Sequence, residues 1–523
     1  MRCCIFTLRG LIIGALVIAG GALATAASAE TTVFAHANVV PMDADTVLND
    51  HTVVVDGDRI VSVGPAAEVE IPEGASVIDA AGQWLMPGLA DMHVHLFFAD
   101  KNPDFMRMFL AEGVTTVRNL NTPPEARNLA KEVAAGERIG PSIYNTGPVI
   151  DGVRPGDELV AMAFKAIPAA VFLILFLIVI VVLRLACRRW AGWGTALGGS
   201  ALAVAAGAGL VVTHVIPLDA LITPFFSLYD IVETAADAEA AVERQKKDGY
   251  RMVKIYEFMS GPVWLAAQKA AQEAGMYSVS HLKPSVDIED VVTSGVDELA
   301  HADELLEYFV NADDLHNLRQ VPVDEAKLQK VIDTVAGHDM MVVSAMSTVE
   351  KVNRYLEGGP AYFERPEYKV IRPETIARWG KGLVVSWQGR QEYRRFMQPY
   401  LGKLVKGLHD AGVPILTGTD VGVDGILPSD NHLEIELLAE AGFSRYEALR
   451  AATANAGISL RRAGFEGNVG TVTPGAVADL VLLKADPLTT PYATTERVGV
   501  MARGQWRTQA ELDKLVAEVV ASY

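Results

Sequence analysis

The stretch LADMHVHL, residues 89–96, decides the fold. It reads as an inner strand, and its end carries His93 and His95 two positions apart. A strand repeats every two residues, so both imidazoles point to the same side. Seven further runs of this kind follow: VTTVRNL at 114–120, PSIYNTG at 141–147, YRMVKIY at 250–256, YSVSHL at 277–282, VDELAH at 296–301, MMVVSAM at 340–346 and PILTGTD at 414–420. Longer helical patterns separate them, which is the signature of parallel βα units. Eight such units make a TIM (β/α)8 barrel, expected here over residues 87–464.

The flanks read differently. Residues 31–86 hold short strands broken by Asp-Gly and Gly turns, and residues 468–504 resume that character. The expectation is one small split β-sandwich built from 30–86 and 465–508, with a terminal helix over 509–523. No internal repeat of solenoid length is present.

The chain has 523 residues, 64 Asp and Glu against 45 Lys and Arg, and a net charge of −19. That balance argues against a nucleic-acid partner, which needs clustered cations. Cys3, Cys4 and Cys187 are too few for a disulfide framework. A mean hydropathy of +0.23 conflicts with such acidity unless the apolar residues are concentrated. One concentration is residues 1–29, laid out as a secretory signal peptide with small residues before Glu30. The other lies in an insertion over 157–228, where Ala166–Leu183 is free of charge and about 27 Å long as a helix. Two transmembrane helices are expected there, about 166–187 and 191–217. Arg184, Arg188 and Arg189 put their turn on the cytoplasmic side. Small residues four apart, Gly194 with Gly198 and Ala203 with Gly207, favour close helix approach and a homo-oligomer. These signals together predict a bacterial inner-membrane protein whose catalytic domain faces the periplasm. The hairpin leaves the barrel on its catalytic face, which points to the bilayer as a partner and to a lipid-like amide as substrate.

Residues with ligand chemistry stand at the ends of five strands: His93 and His95, Lys254, His281, His301 and Asp420. Barrel active sites are built at those ends. With these residues the chain resembles the amidohydrolase superfamily, on its imidazolonepropionase and Xaa-dipeptidase-like side. The resemblance rests on Met86-Pro87-Gly88-Leu89, HVH, the strand-four lysine, the two later histidines and GTD. It continues in HLEIELLAEAGFSRYEALRAATANAG and VGTVTPGAVADLVLL.

The resemblance implies two divalent metal ions, zinc being the expected metal. His93, His95 and Asp420 would hold one and His281 with His301 the other. Lys254, carboxylated by carbon dioxide, would bridge them, because a carbamate offers two anionic oxygens where an ammonium offers a cation. It also implies hydrolysis of a C–N amide bond, as in a small dipeptide-like compound, with Asp420 moving the proton, whereas the N-acyl amino acid or other lipid amide is the substrate to which the hairpin points. An esterase, lactonase or phosphotriesterase on the same centre is the alternative, and a non-catalytic membrane receptor or assembly subunit is another.

Some positions depart from the family. No Glu stands three residues after His281, which disfavours the mononuclear deaminase branch, and Asn119 stands where many relatives carry Asp. Tyr256 and His432 are candidate substrate contacts. His36, His51, His214, His316 and His338 read as structural or solvated, Met106 and Met108 as packing, and Asp303-Glu304-Glu307 as a solvated face.

Overall fold

The computed structural model describes residues 31–96, 103–122, 127–153, 229–283, 285–309, 324–379, 391–422 and 425–523. Five strands come first: β1 (Thr31–Val39), β2 (Leu48–Asp56), β3 (Arg59–Pro65), β4 (Ser76–Asp79) and β5 (Trp84–Pro87). The barrel strands follow as β6 (Leu89–Val94), β7 (Val114–Asn119), β8 (Ser142–Asn145), β9 (Val149–Asp151), β10 (Tyr229–Ile231), β11 (Met252–Ile255), β12 (Tyr277–Ser280), β13 (Glu298–Leu299), β14 (Met341–Val343) and β15 (Ile415–Leu416). The last three are β16 (Leu480–Leu483), β17 (Arg497–Ala502) and β18 (Gln505–Thr508).

Two all-parallel sheets run β6-β7-β8 and β10-β9-β11-β12-β13-β14-β15. They form a TIM-like barrel because the third strand is shared. Its first half, β8, pairs with β7, and after Thr146-Gly147-Pro148 its second half, β9, pairs with β11. The break is held by Gln245, whose Nε2 donates to Pro148 O at 2.8 Å. A Cβ on Gly147 would meet Gln245 Oε1 at 2.2 Å, so the close approach needs glycine. At the other edge Val94 bridges Val421 in parallel, and Met92 N donates to Thr417 O at 3.0 Å, bringing β15 back to β6.

Strand β10 lies beside β9 and has no counterpart in the sequence reading. Three residues carry too little periodicity to be seen.

The helices between strands bury one face each. In Gly261–Ala274, Val263, Trp264, Ala267 and Ala271 face inward, and Gly275 closes the helix with φ +65°. Ala235–Lys247 begins with a capping box between Thr234 and Asp237. Inside the barrel, Arg118 donates to Met92 O at 2.8 Å, to Glu298 Oε2 at 2.9 Å and to Ser459 Oγ at 3.1 Å. Tyr277 donates to the same carboxylate at 3.0 Å. This bolt ties four strands beneath the catalytic rim.

Strands from both flanks join in one sheet, ordered β18-β17-β16-β5-β1-β2-β3, with β4 beside β1. The join is the antiparallel pair β5 and β16, Leu480 opposite Pro87 through Leu483 opposite Trp84. Phe34, Val53, Ile60, Leu85, Leu480 and Met501 form its core. The terminal helix Gln509–Ala521 is capped by Thr508 and Glu511 and packs Leu512 and Val519 inward.

No helix among the described residues is long and apolar enough to cross a membrane. That finding corrects the expected inner-membrane location with a periplasmic catalytic face. Gln391–Asp410, at 20 residues, carries Lys403, Lys406 and Asp410 and an internal Pro399. The signal segment 1–29 and the expected spans 166–187 and 191–217 lie outside the described residues.

Candidate metal centre

His93 is fully buried at the end of β6, with His95 one residue beyond it. Its Nδ1 lies 3.0 Å from the carbonyl oxygen of Ala300. A carbonyl only accepts, so Nδ1 carries the proton and Nε2 keeps its lone pair for the centre. Burial and the charge of Lys254 hold its pKa well below the usual value, so the ring is neutral. His301 is lowered as well, by burial. Neutral imidazoles are the form that binds metal.

The GTD segment after β15 brings the carboxylate in. A Cβ on Gly418 would stand 2.7 Å from His93 Cβ, so only glycine allows this approach. Thr419 donates from N and Oγ1 to the buried Asp91, at 3.0 and 2.5 Å. Burial pushes the Asp91 carboxyl up to about 7, against the pull of Thr419. Asp420 has φ +62°, a left-handed backbone that Asp tolerates better than most residues. Its N donates to His93 O at 2.7 Å.

The ligand atoms of His93, His95 and Asp420 all lie within 4.8 Å of one another, and so do those of His93, His281 and His301. His93 Nε2 and His95 Nε2 are 3.2 Å apart. Asp420 Oδ1 is 3.4 Å and 3.0 Å from those same nitrogens, yet it is buried with no well-aligned donor. Burial raises the Asp420 carboxyl, but His95, His301 and Lys254 outweigh it and hold it below the usual range. Ligand atoms gathered this closely could hold a divalent ion.

Lys254, on β11, is fully buried, and its Nζ has no hydrogen-bond partner. Burial lowers its pKa to about 7. Part of the amine is therefore unprotonated at neutral pH, and that is the form that can be converted to an anion.

His281 follows β12. Its Nδ1 meets a carboxylate oxygen of Glu304, which also accepts from Leu282 N at 2.7 Å. Trp264 Nε1 donates to His281 O at 3.0 Å. Glu304 is therefore not on a solvated face: it sits in the short 3-10 helix after His301 and turns inward. In sequence nothing separates it from Asp303 and Glu307, because their spacing looks like any exposed acidic turn. The Tyr256 ring lies 3.9 Å from the His281 ring, centroid to centroid, which places it at the centre.

The expected substrate contact at His432 is corrected. It is buried, with Nδ1 2.8 Å from Thr494 Oγ1 and Nε2 3.3 Å from Glu112 Oε2 and 3.2 Å from Arg497 Nη1. Both ring nitrogens are engaged with residues outside the centre. Asn119 accepts from Leu96 N at 2.9 Å and donates to Thr122 and Asn145, so it clamps the strand ends beside HVH.

A model described as "Amidohydrolase family" matches residues 231–507. An imidazolonepropionase from Streptomyces griseus is 35% identical over 109 residues, which is 19% of this chain and 27% of that protein. An enamidase from Eubacterium barkeri is 33% identical over 110 residues, 20% of this chain and 28% of that protein. The chain thus matches little more than a quarter of the length of either. A crystal structure of a putative prolidase from Bifidobacterium longum superposes with a TM-score of 0.60 at 21% identity, covering 94% of this chain and 99% of the other. That likeness shows the fold. With its family match over residues 231–507, more than half of its length, the chain belongs to the amidohydrolase family.

Proposed function

We propose that this chain hydrolyses the C–N bond of a small amide at a centre of two divalent metal ions, zinc being the expected metal. The observation that carries the reading is one buried cluster of histidine nitrogens and the Asp420 carboxylate, together with a buried lysine nitrogen that has no hydrogen-bond partner among the described residues. His93, His95 and Asp420 would hold one ion and His281 with His301 the other, with Lys254 as the residue that would bridge them. The free amine of Lys254 adds carbon dioxide with loss of one proton, giving a carbamate whose two oxygens can each take an ion.

Divalent ions bound there would polarise the scissile carbonyl and lower the pKa of water towards neutrality. The protein supplies the rest. Asp420, ionised and without an aligned donor, accepts the proton from water as the new C–O bond forms. It returns that proton to the nitrogen as the C–N bond breaks, so the products are a carboxylic acid and an amine. Tyr256, its ring tilted against that of His281, contacts the substrate next to the scissile bond.

The substrate class that fits best is a dipeptide-like or N-acyl amino acid amide. The prolidase likeness in fold supports it. Purified protein is expected to hold two ions per chain and to cleave amides in preference to esters and phosphotriesters. One ion or none, or the reverse order of substrates, defeats the reading. In Lys254→Ala the metal content is expected to fall below two, and an unchanged content rules out the bridge.

A further inference from the structure

The two halves of the centre are held by different means. His93 is oriented by the backbone oxygen of Ala300, which no side-chain change removes. His281 is oriented by the side chain of Glu304, which reaches back from the 3-10 helix Ala302–Tyr308 that begins directly after His301. One Glu304 oxygen meets His281 Nδ1, and the other accepts from Leu282 N at 2.7 Å. A single carboxylate thus joins the end of β12 to the segment that leaves β13, and these two strand ends carry His281 and His301.

From this geometry we propose that Glu304 is a positioning residue for one half of the centre. It fixes the proton of His281 on Nδ1, turns Nε2 inward, and sets the spacing between His281 and His301. The proposal rests on the two-ion reading above. The half made by His93, His95 and Asp420 has supports of its own in Ala300 O and the Asp91–Thr419 pair. Outer partners of metal-bound histidine change metal affinity about 10- to 100-fold when removed. That loss therefore falls on one ion and spares the other.

The test uses full-length metal-free protein in bicarbonate buffer, titrated with Co2+ and followed by optical absorption and by metal analysis. The variants are Glu304→Gln, Glu304→Ala and, as a neighbour on the exposed side of the same helix, Glu307→Gln. Glutamine keeps one accepting oxygen where the carboxylate has two, so it retains part of the clamp.

The expected result is two ions for the unaltered protein and for Glu307→Gln, with unchanged affinity for the first ion in all variants. Affinity for the second ion falls about 10- to 100-fold in Glu304→Ala and less in Glu304→Gln. A merely structural role would weaken both ions together and lower the melting temperature of the metal-free protein in step. The proposal is overturned if Glu304→Ala binds its second ion as the unaltered protein does, or loses both ions alike. If the unaltered protein itself binds fewer than two ions, the two-ion reading fails, and that is seen before any variant is compared.

Discussion

Asp420 combines three features that rarely meet in one side chain: burial, a left-handed backbone and an acceptor atom with no aligned donor. Backbone strain of this kind costs about 1–3 kcal/mol and persists where the surroundings enforce it. Here Gly418 and Thr419 enforce it by pressing against His93 and bonding Asp91. Replacing Asp420 with Asn keeps the shape and one accepting oxygen but removes the base. Steady-state kinetics of Asp420→Asn should show kcat lower by about 10^2- to 10^4-fold, the usual worth of general acid–base catalysis, with most of the metal retained. Near-normal turnover would remove Asp420 from the proton path. The histidines, Lys254 and Asp420 were legible in sequence because each stands at the end of a strand, where periodicity and position point the same way. Glu304 and His432 were not. Their partners lie on other segments, 23 residues away for His281 and 62 for Thr494, and only the folded chain shows the pairing.

At the scale of elements, the barrel was legible because each of its strands is a β-branched or apolar run set off by helical patterns. The break in the third strand was not, since it depends on Gln245 arriving from a helix nearly a hundred residues later. The bolt beneath the centre is equally invisible in sequence. Arg118 on β7 reaches Met92 O on β6 and Glu298 on β13, while Tyr277 on β12 shares the carboxylate. Both charges are fully buried. Removing one partner from a buried pair leaves the other unpaired, at a cost of about 3–5 kcal/mol. Arg118→Met should lose that much in denaturant unfolding. The double change Arg118→Met with Glu298→Gln should recover part of it, because no lone charge remains. Equal loss in both proteins would mean that packing, not the ion pair, secures the strands.

For the whole molecule the seam between sheet and barrel matters most, because strands from both flanks close over it. Asp479, just before β16, is nearly fully buried there. Its backbone oxygen accepts from Gly88 N at 2.9 Å, and its Oδ1 accepts from Arg503 N at 2.7 Å. Arg503 in turn reaches Gly140 O and Ser142 Oγ at the start of β8, each at 3.3 Å. Burial raises the Asp479 carboxyl from 3.8 to about 6, against the pull of Arg503. The folded pKa exceeds the unfolded one, so folding favours the protonated form. Stability from this group is fully present below about pH 4 and is lost as pH rises through about 6. A shift of that size is worth about 3 kcal/mol at 1.36 kcal/mol per unit. Asp479→Asn keeps an acceptor for Arg503 N and cannot ionise. Denaturant unfolding of both proteins, in chelator so that metal binding does not enter, should give a stability difference that shifts in favour of the variant by up to about 3 kcal/mol between pH 4 and pH 7. A difference that stays flat over that range would show that Arg503 and the solvent already neutralise the charge at the seam.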